Sequence, residues 1–534
     1  MTITAITLRN DHARGQGPDM WVQEAIFGHR YVEEQKAFML VLEVLAIARV
    51  MQVDDRGKPH EDLRVFQHHR DGDGHENFGI PLVRARALRY MLFKDSSLEQ
   101  IQKNKDIPSD QRLKAWVSKL NEGYKASVKS DPISFDYLID RFGDRFDDIA
   151  QAIRILRGLE LDSINKRRWT SRFLAPRGPN LHFSDTDEGF KSDRRFFGRG
   201  GEMIYLMLSR SARAEDLGRV LSKQFFTHPD PLDRIAQKLV PPGPADIAGD
   251  APIGYLPLST HPSYDRMAED WHAILTLEEL PIPQKVEPLF RVTALNLIRY
   301  FSERSHEVTG RENIDPMPLD VTFGAKADLR SLSKSYLGRL RQMIDEATET
   351  YIRKTLEDKP SWRQALTHAD PNARQKLARN TIKESFSFKK ADDLAPGGDA
   401  ERMLDEFVAI AKSRSRNNIS TLIEPLGKAA GFIDARQRIG SWFSASDEML
   451  EALVLARVRT PKTITDFLAD LYGRYRIVIG PREARLEFKT APCDISSFEE
   501  NLRMFEKRLT GLGYVKRLSD DCAFVSNPYC MAKS

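Results

Sequence analysis

The chain has 534 residues, of which 41% are hydrophobic and 30% are charged, as in an ordinary soluble globular protein. Its 81 basic and 77 acidic residues leave a formal net charge of only +4 at pH 7, which excludes any argument for a partner from total charge. Local clusters of basic residues are therefore the informative feature. The length predicts about three or four domains.

Three features of the sequence predict a cytoplasmic protein with no membrane partner. The three cysteines all follow residue 490 and lack the spacing of a disulfide framework or a metal site, which is typical of a reducing compartment. The first ten residues lack the basic start and apolar core of a signal peptide. The longest apolar run, residues 37–50, contains Glu43 and is too short to span a bilayer.

The first 240 residues are predicted to form two helical domains, at 1–130 and 131–240. In the first domain, apolar periodicity predicts helices at 32–51 and 80–93. In the second, it predicts two short helices within 135–161.

A polar loop from His68 to Glu76 is dense in histidines and carboxylates, the residue types that bind metal ions. An EF-hand loop beginning at Asp71 would require glycine at position 76 and glutamate at position 82, and neither is present. For zinc, no distant ligand completes the loop. We expect a solvated turn and assign neither a metal nor a cofactor.

Residues 165–177 combine five basic side chains and two aromatic rings without an acid. Basic groups neutralise phosphates and aromatic rings stack on bases, so this stretch predicts a nucleic-acid contact. The alternative is that Trp169 and Phe173 are buried on one helix face and the arginines lie in water. The candidate contacts are Lys166, Arg167, Arg168, Trp169, Arg172 and Arg177.

A glycine turn at residues 198–201 leads into an apolar helix at 203–208. Free amides at such a turn can bind an anion, with Arg194, Arg195 and Arg199 alongside. The turn matches neither the Walker pattern nor the dinucleotide-binding fingerprint, and a plain loop-to-helix junction is the alternative.

Proline and glycine mark the remaining domain boundaries. Residues 241–262 are predicted to be a proline-rich linker without a regular element, and residues 392–400 a second linker. Between them, 263–391 form a helical middle domain, and 401–534 contain a basic helical segment and a final module. Helices of the middle domain are predicted at 264–280, 289–304 and 329–356.

A second basic stretch occupies residues 411–440. It predicts a phosphate-binding surface, and the alternative is a solvated helix face followed by a loop. The candidate contacts are Lys412, Arg414, Arg416, Arg436 and Arg438.

The last ninety residues read as three helices followed by one hairpin. Capping patterns place the helix starts near Ser444, at Thr463, and at Ser496 or Ser497, and glycines 511 and 513 end the third helix. Two β-prone runs follow, at 514–518 and 522–525, around a turn. The fold class predicted for the chain is therefore mainly helical and multidomain, with a C-terminal α+β module.

This order resembles that of the winged-helix family, in which the third helix usually enters the major groove and the hairpin touches the DNA backbone or minor groove. The resemblance implies DNA contacts from Arg503 and Lys507 on the helix and from Lys516 and Arg517 on the hairpin. The outer face of this helix is also predicted to carry Arg508 and three glutamates. Phosphate would repel the three glutamate carboxylates. A module that packs against a protein partner is the alternative.

Catalytic motifs are missing from the sequence, which contains no nucleophile elbow, zincin helix or kinase signature. The run from Glu487 to Lys489 has the carboxylate-x-lysine form of one class of metal-dependent nucleases. Its expected aspartate partner should lie on a strand, whereas Asp470, the nearest candidate, falls in a predicted helix. We therefore expect a protein that is not an enzyme.

In length, helical character and closing module, the chain also resembles accessory proteins of multi-gene bacterial antiphage defence systems, such as the methylation-associated ones. That resemblance implies a DNA-binding subunit that senses or positions DNA while other subunits supply ATPase or nuclease chemistry. The alternative is a structural scaffold whose winged helix and long helices bind protein partners. An enzyme with a site assembled from scattered residues is a third hypothesis.

Overall fold

The computed structural model describes a mainly helical protein, as the sequence predicts. The few strands are short and lie in small sheets. None of the helices that the structure describes combines the length and apolar character needed to cross a membrane. The described residues are 18–28, 37–51, 79–84, 86–128, 133–160, 200–226, 231–242, 246–252, 256–489, 494–519 and 522–530.

The elements of the first half are helical except for strands β1 Gly79–Arg84 and β2 Asp246–Pro252, which pair antiparallel. The helices are α1 Pro18–Phe27, α2 Ala37–Met51, α3 Arg86–Phe93, α4 Ser97–Lys103, α5 Ser109–Ser127, α6 Tyr137–Phe142, α7 Phe146–Arg157, α8 Gly200–Ser209, α9 Ala214–Leu221 and α10 Pro231–Leu239.

The second half contains the longest helices and the remaining strands. Its helices are α11 Pro262–Leu275, α12 Ile282–Thr309, α13 Ala327–Glu357, α14 Pro360–Thr367, α15 Pro371–Phe386, α16 Ala400–Ser415, α17 Thr421–Ala430, α18 Asp447–Arg457, α19 Ile464–Tyr475, α20 Pro481–Glu487 and α21 Ile495–Gly511. Its strands are β3 Met317–Pro318, β4 Ile433–Arg436, β5 Gly440–Phe443, β6 Lys462–Thr463, β7 Ile477–Val478, β8 Val515–Ser519 and β9 Cys522–Val525.

Helix α12 is the centre of the larger core. Every residue from 288 to 303 is buried, because the helix is enclosed by α2, α11, α13, α17 and α18. The helix is thus buried on all sides, and its buried polar side chains are held by partners such as Arg266, which pairs with Glu303 at 2.7 Å. The same core also contains α1 and α8. Parts of the chain that lie far apart in sequence are therefore joined in one packing unit.

A second core joins α3 through α7 with α10. It includes Trp116, whose indole donates a hydrogen bond of 2.9 Å to Asp95. Helices α6 and α7 confirm the two short helices predicted within 135–161. The domain boundaries proposed from the sequence stay predictions.

Two segments differ from the sequence-based prediction. The predicted helix at 80–93 is strand β1 followed by helix α3, since Ile80, Pro81 and Val83 disfavour a helix. Ile80 and Val83 pair with β2, and Pro81 lies at a shift in the register. The segment 241–262, predicted to contain no regular element, supplies strand β2. Proline is tolerated there because β2 belongs to a two-stranded sheet and Pro252 is its last residue.

The start of α18 corrects a predicted cap. Ser446, not Ser444, caps this helix, and its hydroxyl accepts a hydrogen bond of 3.2 Å from the amide of Met449. Ser444 instead donates to the carbonyl of Asp320 at 2.8 Å. Thr463 caps α19, as predicted.

The other C-terminal elements are close to the prediction. Helix α21 begins at Ile495, one or two residues earlier than expected, with Asp494 as its cap. Strands β8 and β9 form the predicted hairpin, and β6 pairs with β9 in a three-stranded sheet of order β6-β9-β8. Helix α20 and the parallel pair β3-β7 were not predicted.

Candidate nucleic-acid interface

The first basic stretch is not among the residues that the structure describes. Its candidate contacts, and the arginines before the glycine turn, all fall within 161–199. They stay predictions: Lys166, Arg167, Arg168, Trp169, Arg172, Arg177, Arg194, Arg195 and Arg199.

The glycine turn already binds the carboxyl group of a glutamate of the same chain. Gly201 lies in the first turn of α8, and its amide donates a hydrogen bond of 2.8 Å to Oε2 of Glu43 on α2. Both residues are buried. This amide is therefore used to join two helices, and it is not open to an external phosphate.

The helical half of the second basic stretch is largely neutralised. Lys412 forms an ion pair with Glu349, and Nε of Arg416 lies 2.6 Å from Oδ2 of Asp345. Only Arg414 is exposed without an ion pair to another described residue. Two of the three predicted contacts in this half of the stretch are thus held by acids of α13.

The second half of this basic stretch forms the β4-β5 hairpin, and its arginines are exposed. Arg436 donates a hydrogen bond of 2.5 Å to the carbonyl of Phe323 and lies over the ring of Trp442 at 5.7 Å. Its nearest acid is Asp434, at 4.0 Å. Arg438, in the turn between β4 and β5, is exposed and has no ion-pair partner among the described residues.

Three further cations, from helix α13 and its capping residue, extend the surface that carries Arg436 and Arg438. Lys326, Arg330 and Lys334 are spaced four residues apart, which places them on one side of the helix. Arg330 donates to the carbonyl of Gly324 at 2.6 Å, and Lys334 donates to that of Ile439 at 2.5 Å. None of the three forms an ion pair with another described residue. We call Lys326, Arg330, Lys334, Arg436 and Arg438 the hairpin surface.

The loop between β3 and α13 is built around the buried carboxylate of Asp320. Its Oδ1 accepts hydrogen bonds from the amide and hydroxyl of Thr322, at 2.8 and 2.7 Å. Its Oδ2 accepts from the amide of Gly324 at 2.8 Å and from the indole of Trp442 at 3.1 Å. These four bonds hold Phe323 at the surface, where the residue is 49% exposed.

Helix α21 and the C-terminal hairpin of β8 and β9 carry a more balanced charge than the hairpin surface. Arg503 pairs with Glu500 at 3.0 Å, and Arg517 pairs with Glu506 at 3.4 Å. Lys507 and Lys516 are exposed and have no ion pair with another described residue. This face offers phosphate fewer free cations than the hairpin surface.

Arg508 corrects the predicted outer face of α21. It is only 9% exposed and donates hydrogen bonds to the carbonyls of Val321 and Ala445, at 3.2 and 2.7 Å. Its guanidinium lies 4.3 Å from the centre of the Phe323 ring. The helix thus turns this arginine inward, where it supports the Phe323 loop.

The carboxylate-x-lysine run is engaged in structural contacts. Glu487 ends α20 and accepts hydrogen bonds from Tyr472 and Arg476. Asp470 pairs with Arg457 at 2.9 Å. Burial alone raises the pKa of Asp470, but the hydrogen bond and positive charge of Arg457 outweigh it and lower that pKa. Both carboxylates are thus held by partners within the chain.

Comparison with models of protein families gives no match, and comparison with curated protein sequences gives none either.

Sequence reasoning found Arg436 and Arg438 but missed the three cations of α13. The only available signal was their four-residue spacing at the start of the long charged helix. Their place beside the hairpin depends on how β5 packs against α13, where Ser333 donates to the carbonyl of Phe443 at 2.9 Å.

Proposed function

We propose that the protein is a non-catalytic DNA-binding subunit whose hairpin surface contacts the phosphate backbone. The observation that carries the proposal is that Lys326, Arg330, Lys334 and Arg438 lie together without an acidic partner among the described residues. Unpaired cations on one face bind phosphates by releasing condensed counterions. Each such contact contributes affinity without reading the base sequence.

The C-terminal region is proposed to be a winged helix. What supports this is that α18, β6, α19, α21, β8 and β9 follow one another with only the short elements β7 and α20 inserted between α19 and α21. In addition, β9 lies between β6 and β8 in a three-stranded sheet. In winged-helix domains the third helix and the hairpin that follows it contact DNA. In this chain these elements would be α21 and the β8-β9 hairpin. Here Lys507 and Lys516 are the cations free to do so.

In this proposal α21 also has a positioning role. Asn501, fully buried on α21, accepts a hydrogen bond of 2.8 Å from the amide of Val321 and donates to the carbonyl of Leu319 at 2.9 Å. With Arg508, it fixes the start of the Phe323 loop. The winged helix would then orient the hairpin surface while adding two phosphate contacts of its own.

The context proposed for this activity is a multi-protein complex of bacterial antiphage defence. The support is the resemblance in length, helical character and closing module. In such a complex the protein senses or positions DNA, and partner subunits supply ATPase or nuclease chemistry.

A scaffold that binds protein partners is the second candidate function. The ion pairs of Arg503 with Glu500 and of Arg517 with Glu506 favour it, because a charge-balanced helix face suits a protein interface better than a phosphate backbone. Association with partner proteins that persists after all DNA has been digested would support the scaffold.

The test is fluorescence-anisotropy binding of the full chain to a random duplex across a salt series. Lys326→Gln combined with Arg438→Gln removes two charges whose side chains make no hydrogen bond or ion pair with another described residue. We expect the slope of log affinity against log salt to flatten by about two units, roughly one per lost phosphate contact.

The matched control combines Lys389→Gln with Lys390→Gln, two exposed lysines near the end of α15. This pair should leave the slope unchanged. No binding by the wild-type protein at low salt would overturn the proposed function and favour the scaffold.

A further inference from the structure

Phe323 is the only exposed aromatic side chain among those that the structure describes. Removing a phenyl ring from water is favourable, so this ring would gain free energy from contact with a ligand. The ring also lies next to the hairpin surface, since Arg436 binds the Phe323 carbonyl and Arg330 binds that of Gly324. An exposed aromatic within a group of cations is the combination that single-stranded nucleic acids bind.

The backbone of Phe323 is held in an unfavourable conformation. Its φ is +57°, in the left-handed region that bulky residues rarely adopt. Such a conformation persists only where the surroundings enforce it, and it is concentrated at functional sites. Here the four hydrogen bonds to Asp320 enforce it. The loop is therefore built to present this side chain.

The ring is also fixed in orientation. The guanidinium of Arg508 lies over it at 4.3 Å, and Arg508 is itself held by the carbonyls of Val321 and Ala445. A ring supported in this way loses little conformational freedom when a second flat group stacks on its exposed part. Adjacent phosphates of the same strand are then within reach of the hairpin surface.

We propose that Phe323 stacks on an unpaired nucleobase, so that the preferred ligand is single-stranded DNA or a duplex with unpaired bases. This inference rests on the proposed DNA-binding function and adds the class of DNA. In an intact duplex both faces of each base are covered by neighbouring bases, so a protein ring gains access only to a base that is unpaired or displaced. Phosphate contacts alone would need the cations and not the ring.

The experiment measures binding of the full chain to three matched oligonucleotides: an intact duplex, the same duplex with a three-nucleotide mismatched bubble, and the single strand. We expect the bubble and the single strand to bind more tightly than the duplex. Phe323→Gly should weaken binding to these two ligands by about tenfold, within the range measured for one base stacked on an aromatic ring. It should leave duplex affinity and the salt slope unchanged.

Phe323→Gly is the informative variant because glycine adopts a positive φ without strain, so the loop keeps its fold while losing the ring. The control is Leu486→Ala, which removes an exposed apolar side chain on α20. A 2-aminopurine placed in the bubble supplies a second readout. Its fluorescence should be quenched by the wild-type protein and by Leu486→Ala, and not by Phe323→Gly.

Equal affinity of wild type and Phe323→Gly for the bubble, with duplex binding intact, would overturn the inference alone. Equal affinity of the wild-type protein for bubble and duplex would do the same. Failure to bind any of the three oligonucleotides would instead overturn the proposed function on which the inference rests.

Discussion

Asp320 and Trp442 are joined inside the protein by a hydrogen bond of 3.1 Å from the indole Nε1 to the carboxylate Oδ2, although 122 positions separate them in sequence. Both side chains are fully buried. The bond connects the Phe323 loop to strand β5. The exposed ring and the cations of the hairpin surface are therefore parts of one supported structure.

Removing this carboxylate should release the loop. Asp320→Ala leaves the amides of Thr322 and Gly324 and the Trp442 indole without an acceptor, and each unsatisfied buried donor costs about 1–3 kcal/mol. We expect a lower melting temperature and faster amide hydrogen exchange across residues 321–325. Asp434→Ala, which alters a half-exposed carboxylate of β4, is the control and should change neither. Unchanged exchange in Asp320→Ala would show that other contacts hold the loop.

The stability of the helical core should fall at acidic pH through Glu303. Burial raises the pKa of this carboxyl, but the positive charges of Arg266 and Arg299 outweigh it and lower the pKa from 4.5 to about 2. Below pH 4.5 the unfolded chain binds a proton that the folded protein does not, so the stabilisation is complete above pH 4.5 and is lost as the pH falls through about 2.

The measurement is the urea midpoint of the wild-type protein and of Glu303→Gln between pH 6 and pH 2.5. The wild-type midpoint should decrease over this range by more than that of the variant. The corresponding losses in the free energy of unfolding should differ by roughly 3 kcal/mol at most. Parallel curves would contradict the ionised state of Glu303 in the core.

Two glycine-to-alanine substitutions in helices should have opposite effects. At Gly201 an added Cβ would lie 2.6 Å from Oε2 and 2.8 Å from Cγ of Glu43, so Gly201→Ala should destabilise the contact of α8 with α2 by about 1–3 kcal/mol. At Gly338 in α13 the added Cβ would meet no atom within 4 Å apart from its chain neighbours and the helix's own backbone, and Gly338→Ala should stabilise the helix by up to about 1 kcal/mol. Differential scanning calorimetry of both variants tests the pair. A stable Gly201→Ala protein would argue against the buried Gly201–Glu43 bond.

The stretch at 165–177 should contribute to DNA binding independently of the hairpin surface. Changing Lys166, Arg167 and Arg168 together to Ala should flatten the salt slope by up to about three units. A control that changes Lys359, Lys389 and Lys390 to Ala removes the same charge from exposed positions. If both triple variants retain the wild-type slope, the stretch is a solvated surface, and only the hairpin surface is left as the site.

Local patterns in the sequence were sufficient to predict much of the helical structure. Thr463 was predicted to cap α19 because a hydroxyl three residues before an acid is a strong local pattern, and the structure confirms it. The same logic placed the α18 cap at Ser444, because Asp447 lies three residues on. Ser446 caps the helix because Ser444 is engaged by the distant Asp320, and no local pattern contains that information.

The candidate site was less predictable because contacts distant in sequence create it. Helical periodicity placed Arg508 on the outer face of α21, yet its carbonyl partners belong to Val321 and Ala445. Phe323 showed no signal, since its exposure follows from a loop organised by Asp320 and Trp442. Predicting these positions would have required the packing of β5 against α13.

Hydrogen exchange of the full chain with and without a bubble-containing oligonucleotide locates the DNA-binding surface without any substitution. We expect bound DNA to slow exchange in peptides covering residues 321–330 and 434–441. Peptides covering residues 371–390, which lie outside the proposed site, should exchange at the same rate in both states. Binding that leaves residues 321–330 and 434–441 unprotected would show that DNA contacts another surface of the protein.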